Sequence, residues 1–334
     1  MKNKTVDTDY LHTTARVRSL ERSFLSSARM ERMLEARTDE EALKVLAECG
    51  YGEISPSRPD NLTRALTENH RNLLDFWEGI VPDRRIVDIF RLKYDYHNVK
   101  AFLKSEASYQ DADRLFLDFG RVKVKMLTDI LRRKKTQNLP PVMCAAAEEA
   151  RVELARAGDP RKADIILDHA YYKEMLELAS ATNSAFMLGY ATLLIDLANM
   201  RIIVRTSRIG LGVDFLRSAL IEGGSMDINR LIAIALSDMP LSEHFSEKLH
   251  ELAAAAGTHA MREEMTLSEF EKEVDNVRIK YLKSAKFVAF GEQPLVAYIA
   301  VREAEIIAIR TIMSGRRAGA PRDLIRERLR EAYV

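Results

Sequence analysis

The chain has 334 residues, of which 47% are hydrophobic and 30% charged, and its formal net charge is +1. That balance belongs to a folded globular protein long enough for two or three domains, and it excludes an extended disordered chain. A near-zero net charge also excludes a global field that would attract nucleic acid or anionic lipid, so any such binding has to be local.

Nine prolines and fourteen glycines leave long uninterrupted stretches. Apolar residues recur at helical spacing along nearly all of them, with no sustained strand alternation, which predicts an all-α protein. Residues 10–36 read as one charged amphipathic helix with Val17, Leu20, Phe24 and Leu25 on one side. The string TDEEALKVLAECG reads as a complete short helix, with Thr38 as N-cap, Glu41 closing a capping box and Gly50 ending it. Pro59 and Asp60 open the next helix, and Pro82 fits the first turn of another that reaches Lys104. Residues 111–135 are predicted helical up to the break RRKKTQNLPP, and helices follow over 142–156, 164–180 and 184–207. A short helix over 213–220 lies between Gly210 and Gly212 on one side and Gly223 and Gly224 on the other. Glycine and proline punctuate the remainder, at Pro240, Gly257, Gly291, Pro294, Gly315, Gly319 and Pro321.

Two of the most hydrophobic stretches carry the same polar letters, YDYHNVKAFLK at 94–104 and IDLANMRIIVR at 195–205. An offset of 101 residues pairs Asp95 with Asp196, Asn98 with Asn199, Lys100 with Arg201 and Lys104 with Arg205. An offset of 109 joins the second copy to a third, pairing Asp196 with Glu305, Arg201 with Arg310, Arg208 with Arg317 and Gly210 with Gly319. In that copy Asn199 meets Ala308 and Arg205 meets Ser314. Three related units are expected, over 1–110, 111–215 and 216–334, with the N-terminal helices able to pack on the third. The period is too long for the short-repeat solenoids, which run at roughly 20–50 residues.

On a helix advancing about 100° per residue, Asp95 and Asn98 share a face with Val99 and Phe102. Asp196 and Asn199 share theirs with Met200 and Ile203, and Glu305 sits with Ile309 and Ile312. Polar groups on an apolar face need partners, so these five residues are read as determinants of helix packing, with the lining of a partner's cavity as the second reading. The cations Lys100, Lys104, Arg201, Arg205, Arg310 and Arg317 point the other way. They form either a solvated face or a ring of positive charge around a socket.

Catalytic grammar is missing. The sequence contains no GxxxxGK[ST] phosphate loop, HExxH zinc helix or CxxC pair, and GLG at 210–212 follows a helix and reads as a C-cap. His97 and His169 have no second ligand at helical spacing, and the acidic pairs Asp164 with Asp168 and Glu148 with Glu149 have no companion cluster. No cofactor or metal is expected. Cys49 and Cys144 read as small buried hydrophobes in a reducing compartment. The opening MKNKTVDTDYLHTT has no apolar run for a signal sequence, and the apolar stretch 185–195 is read as too short to span a bilayer.

Local charge is uneven. Residues 121–135 hold seven basic residues against Asp129. Without interleaved aromatics, nucleic acid is not an expected partner. Residues 241–275 carry nine acids against three Lys or Arg, and 314–330 carry six arginines against two acids. These flanks either dock separate partners or pair with each other.

With the repeat in place, the whole chain resembles the C subunit of the V-type and archaeal-type rotary ATPases, the family of the eukaryotic V-ATPase d subunit. The resemblance rests on DYHNVKAFLK, on IDLANMRIIVR followed by TSRIG, and on REAEIIAIRTIMSGR. It is joined by YLHTTARVRSLERSFLS, EEALKVLAECGYG, DHAYYKEMLELA and LIRERLREAYV. The resemblance implies three helical units around a pseudo-threefold axis forming a funnel. It implies a non-catalytic, single-copy rotor component on the cytoplasmic face of a membrane, between the rotor ring and the central shaft subunits of the D and F type. The six cations would then be the shaft socket. The alternative is an all-α scaffold or adaptor that binds an acidic partner and is unrelated to rotary motors.

Overall fold

The computed structural model describes residues 5–55, 60–108, 110–237, 239–245 and 248–334. Pro59, and the first four residues of the opening stretch, lie outside them. In chain order the α-helices are α1 Leu11–Leu20, α2 Ser27–Glu35, α3 Asp39–Glu48, α4 Asp60–Ile80, α5 Arg85–Ser108, α6 Val124–Arg132, α7 Pro141–Ala157 and α8 Pro160–Ala181. They continue with α9 Ala185–Ile209, α10 Val213–Ala219, α11 Ile228–Ala235, α12 Leu241–His244, α13 Lys248–Met261, α14 Leu267–Lys283, α15 Gln293–Arg317 and α16 Arg322–Arg328. Among the described residues there is no strand, so the fold is all-α.

The chain divides into two compact units. A terminal unit combines Met1–Pro82 with Asp238–Val334, and a central unit is Asp83–Ser237. In the central unit α8 packs on α5, α7 and α9. Tyr96 and Tyr190 are fully buried there, and Phe90 lies 6.4 Å from the Tyr190 ring. Helix α9 has the length and composition to cross a bilayer, which corrects the reading of its apolar stretch as too short. Most of its apolar window is buried within the protein, so it is a core helix.

In the terminal unit α15 gathers α1, α2, α4, α14 and α16. The fully buried Trp77 ring meets Tyr298 edge-on at 5.6 Å. The Arg302 guanidinium lies 5.1 Å from the Tyr51 ring centre, 5.6 Å from that of Tyr298 and 5.9 Å from that of Phe24, a charge held against aromatic faces.

Two predicted helices prove to be interrupted. Residues 10–36 contain α1 and α2, separated because Phe24 is extended and the Leu25 N–H leaves the helical ladder for the Glu305 carboxylate at 2.5 Å. Ser26 then restarts the chain as an N-cap, accepting from the Arg29 N–H. Over 111–135 only a 3₁₀ turn at Asp113–Leu115 and α6 are helical. Side chains from α5 hold the backbone between them in a non-helical path.

Caps follow the sequence closely. Thr38 accepts from the Glu41 N–H at 3.2 Å, while the Glu41 carboxylate takes the Arg37 N–H instead of closing the box on Thr38. A reciprocal capping box does form at Thr266 and Glu269. Gly210 ends α9 at φ +71°, the left-handed C-cap position that glycine occupies at least cost.

Candidate functional site

The repeated polar letters form matched locks on the two long helices of the central unit. On α5, Asn98 donates to the Leu117 carbonyl and accepts from the Leu117 N–H, both at 2.8 Å. On α9, Asn199 does the same to Ile221, again with both bonds at 2.8 Å. One turn earlier, Asp95 accepts from the Val122 N–H at 3.1 Å and Asp196 from the Ser225 N–H at 2.8 Å. Each long helix thus grips the segment that returns along it, satisfying backbone groups that no regular ladder serves. All four side chains are buried, at 0–2% exposure.

A glycine completes each lock. A Cβ built on Gly120 would sit 2.1 Å from Asp95 Oδ1, and one on Gly224 would sit 2.4 Å from Asp196 Oδ1. Both backbones approach a carboxylate so closely that only hydrogen fits. Sequence reasoning missed these glycines because the two return loops differ in length, which breaks the 101-residue offset between Gly120 and Gly224. It missed Arg121 too, whose Nε lies 2.9 Å from Asp95 and whose NH2 lies 2.8 Å from Glu174. The Tyr96 hydroxyl donates to the other Glu174 oxygen at 2.9 Å, closing a buried network. Burial raises the Asp95 carboxyl above its ordinary pKa, with the Arg121 charge and hydrogen bond pulling the other way. For Arg121 burial opposes the charge, yet Glu174 and Asp95 outweigh it and its pKa rises.

The third copy is rebuilt. Glu305 accepts from the Tyr51 hydroxyl at 2.9 Å and Arg302 at 2.8 Å, besides the Leu25 N–H, so it ties α15 to the N-terminal segments of the terminal unit. With Ala308 in the asparagine position, the final segment is held from α14. Asn276 accepts from the Glu331 N–H at 2.8 Å and Asp275 pairs with Arg330 at 2.9 Å. All five repeated polar residues therefore have intramolecular partners.

The cations are not equivalent. Lys100 pairs with Asp168 and Lys104 with Asp164, each at 2.6 Å, so the acidic pair on α8 serves to bind α5. Arg201 lies close enough to the Tyr172 phenol to act on it electrostatically, beside Asp168. Arg205 and Arg310 are exposed, and Arg317 is exposed while lying 3.6 Å from Asp39. The acidic flank at 241–275 and the basic tail meet through the ion pair of Asp275 with Arg330, whereas Arg326 pairs with Glu31, and Arg316 and Arg317 with Asp39. Those arginines bind the C-terminal helices to α2 and α3.

The remaining candidates are structural. His97 contacts the Leu115 carbonyl at 2.9 Å and His169 the Ala219 carbonyl at 3.3 Å, each holding a return segment. Glu148 accepts from Thr136. Cys49 is buried as expected, whereas Cys144 is only half-buried on α7, which corrects its reading as a core residue. Among the described residues no cluster of three His, Cys, Asp or Glu could hold a metal ion.

Comparison with known proteins places this architecture. The family described as ATP synthase (C/AC39) subunit matches residues 13–328. The chain is 21% identical over 332 residues to the C subunit of the V-type sodium ATPase of Enterococcus hirae, covering 97% of this chain and 99% of that one. It is 25% identical to the C subunit of the A-type ATP synthase of Thermococcus kodakarensis, covering 96% and 90% of the two chains. A third relative, the C subunit of the A-type ATP synthase of Halobacterium salinarum, is 24% identical over 80% of each chain. An adaptor unrelated to rotary motors is thereby set aside. Built on locked helices and matched from end to end, the chain belongs to the ATP synthase (C/AC39) subunit family and is a non-catalytic subunit of a V/A-type ATPase.

Proposed function

We propose that this protein is the rotor coupling piece of its ATPase, joining the membrane ring to the central shaft on the cytoplasmic face. Its task is to carry torque between ion movement and ATP turnover as a single copy. The observation that carries this reading is the pair of Asn98 and Asn199 locks. A coupling element needs stiff parts that return under load to one geometry. Buried two-bond grips on the backbone give that stiffness without any chemistry. Three repeat units placed around one axis, as the resemblance implies, form part of the proposal.

The cations of the proposed socket for an acidic shaft surface differ in exposure and in ion pairing. Lys100 and Lys104 already neutralise Asp168 and Asp164. Arg205, Arg310 and Arg317 are exposed and stay in the proposed socket with Arg201, one turn before Arg205, although Arg317 also lies 3.6 Å from Asp39. Charge across such a contact sets orientation and encounter rate more than raw affinity. The decisive experiment is reconstitution of the ATPase with and without this chain, reading ATP hydrolysis and ion transport together. Loss of coupling on omission is expected, and coupling that persists without the chain refutes the reading. Arg201→Glu combined with Arg205→Glu should weaken capture of the shaft subunits while helicity is kept; unchanged capture removes these two from the socket.

A further inference from the structure

Among the described residues, five cations with no ion-pair partner lie close together between residues 123 and 135. Of the seven basic residues over 121–135, Arg121 is bound to Asp95 and Glu174, and Arg133 to Asp129 at 2.7 Å. Lys123, Lys125, Arg132, Lys134 and Lys135 are all exposed, and none has an ion-pair partner among the described residues. The nearby acids are committed: Asp129 to Arg133, and Asp118 to the Val124 N–H at the start of α6. Lys125 and Arg132 are seven residues apart and share one stripe of α6, with Met126 beside them at 54% exposure. The opposite face, Leu127, Ile130 and Leu131, is buried and fixes that stripe outward.

We propose that α6 and its flanks, Lys123 to Lys135, form a docking face for an anionic phospholipid surface. The cations are spread over thirteen residues of α6 and the segments flanking it, which suits a spread of headgroup charge better than a single carboxylate. Five unneutralised Lys and Arg within thirteen residues fall within the range that holds a peripheral protein to an anionic leaflet. Met126 is placed to dip among the headgroups. The near-zero net charge of the chain leaves this patch as a local field. The proposal draws on membership of a membrane-associated complex and stands apart from the assignment of shaft contacts.

The test is cosedimentation of the purified full chain with vesicles of phosphatidylcholine, and with vesicles in which about a third is replaced by phosphatidylglycerol. Binding to the anionic vesicles alone is expected, weakening as salt is raised from about 0.1 M to 1 M. Lys125→Glu, Arg132→Glu and Lys135→Glu together should lower the partition coefficient by at least roughly 100-fold, at about fivefold per neutralised cation, with circular dichroism and Tm unchanged. Should the triple variant unfold, Lys125→Gln with Lys135→Gln is the milder substitute, with an expected loss of roughly 25-fold. Absence of binding, equal binding to both vesicles, or variants that bind like the parent each overturn the proposal. A triple variant that fails only to enter the assembled ATPase, while the parent ignores vesicles, assigns the face to an acidic protein and also overturns it. Neither result bears on coupling in the reconstituted enzyme, so the rotor reading is judged separately.

Discussion

Asn199 and Ile221 are joined by two 2.8 Å hydrogen bonds, one in each direction, between a side-chain amide and a backbone amide. The pair is buried, so losing the side chain orphans a donor and an acceptor at once. Asn199→Ala should therefore destabilise the protein by about 2–4 kcal/mol, and Asn98→Ala by a similar amount. Urea unfolding followed by circular dichroism measures both. A loss below the extrapolation error would show that the locks are not structural.

The glycines facing the carboxylates should resist the smallest side chain. Gly120→Ala and Gly224→Ala each place a methyl group against Asp95 or Asp196, and each is expected to cost about 1–3 kcal/mol. Gly79→Ala is the internal control. Its added Cβ would meet nothing within 4 Å and it lies in α4, so a gain of up to about 1 kcal/mol is expected. Thermal melts that rank all three variants alike would contradict the close approach.

The two thiols should differ in their accessibility to reagents. Burial pushes Cys49 from 9.0 up to about 11. At pH 8 only about one Cys49 in a thousand is a thiolate, and it is shielded as well. A maleimide-type reagent should label Cys144 in the native protein and reach Cys49 only after denaturant is added. The folded state holds the Cys49 proton more tightly, so its contribution to stability is complete below pH 9.0 and is lost as pH rises through about 11. The stability difference between the parent and Cys49→Ala should shrink over that window. A constant difference, or fast native labelling at both sites, refutes this.

Lys100 and Asp168 test the assignment of the first-copy cations. The pair is partly exposed, with side chains 22% and 46% accessible, so a double-mutant cycle should give a coupling of about 0.5–1 kcal/mol. Lys100→Ala alone should leave capture of the shaft subunits unchanged. A large loss of capture with no measurable coupling would return Lys100 to the socket.

The all-helical character and the burial of Asp95, Asn98, Asp196, Asn199 and Glu305 were legible in the sequence because each depends on spacing within one helix. What they bond to was not, since Leu117 and Ile221 lie about twenty residues away along loops with no pattern of their own. The same limit explains the cations. Helical spacing separates Lys100 and Lys104 from the apolar face, but it carries no information on the acids that α8 brings to meet them. Residues 111–135 misled for a related reason. Their intrinsic preference is helical, and the grip of α5 on Leu117 and Val122 overrides it. In the third copy, Ala308 shows that a lock is lost without showing that Asn276 on α14 takes over.

The terminal unit is assembled from both ends of the polypeptide, with α15 as its common partner. On a ribosome, the first four helices must therefore wait for more than two hundred residues to be made before α15 emerges to cover them. The central unit is continuous and can close in the meantime, so pulse-labelled hydrogen exchange during refolding should protect α8 and α9 before α3 and α4; the reverse order would contradict this. The early helices are the stretch of nascent chain with most need of a chaperone, and an N-terminal truncation should damage the newest-made helices as much as the oldest.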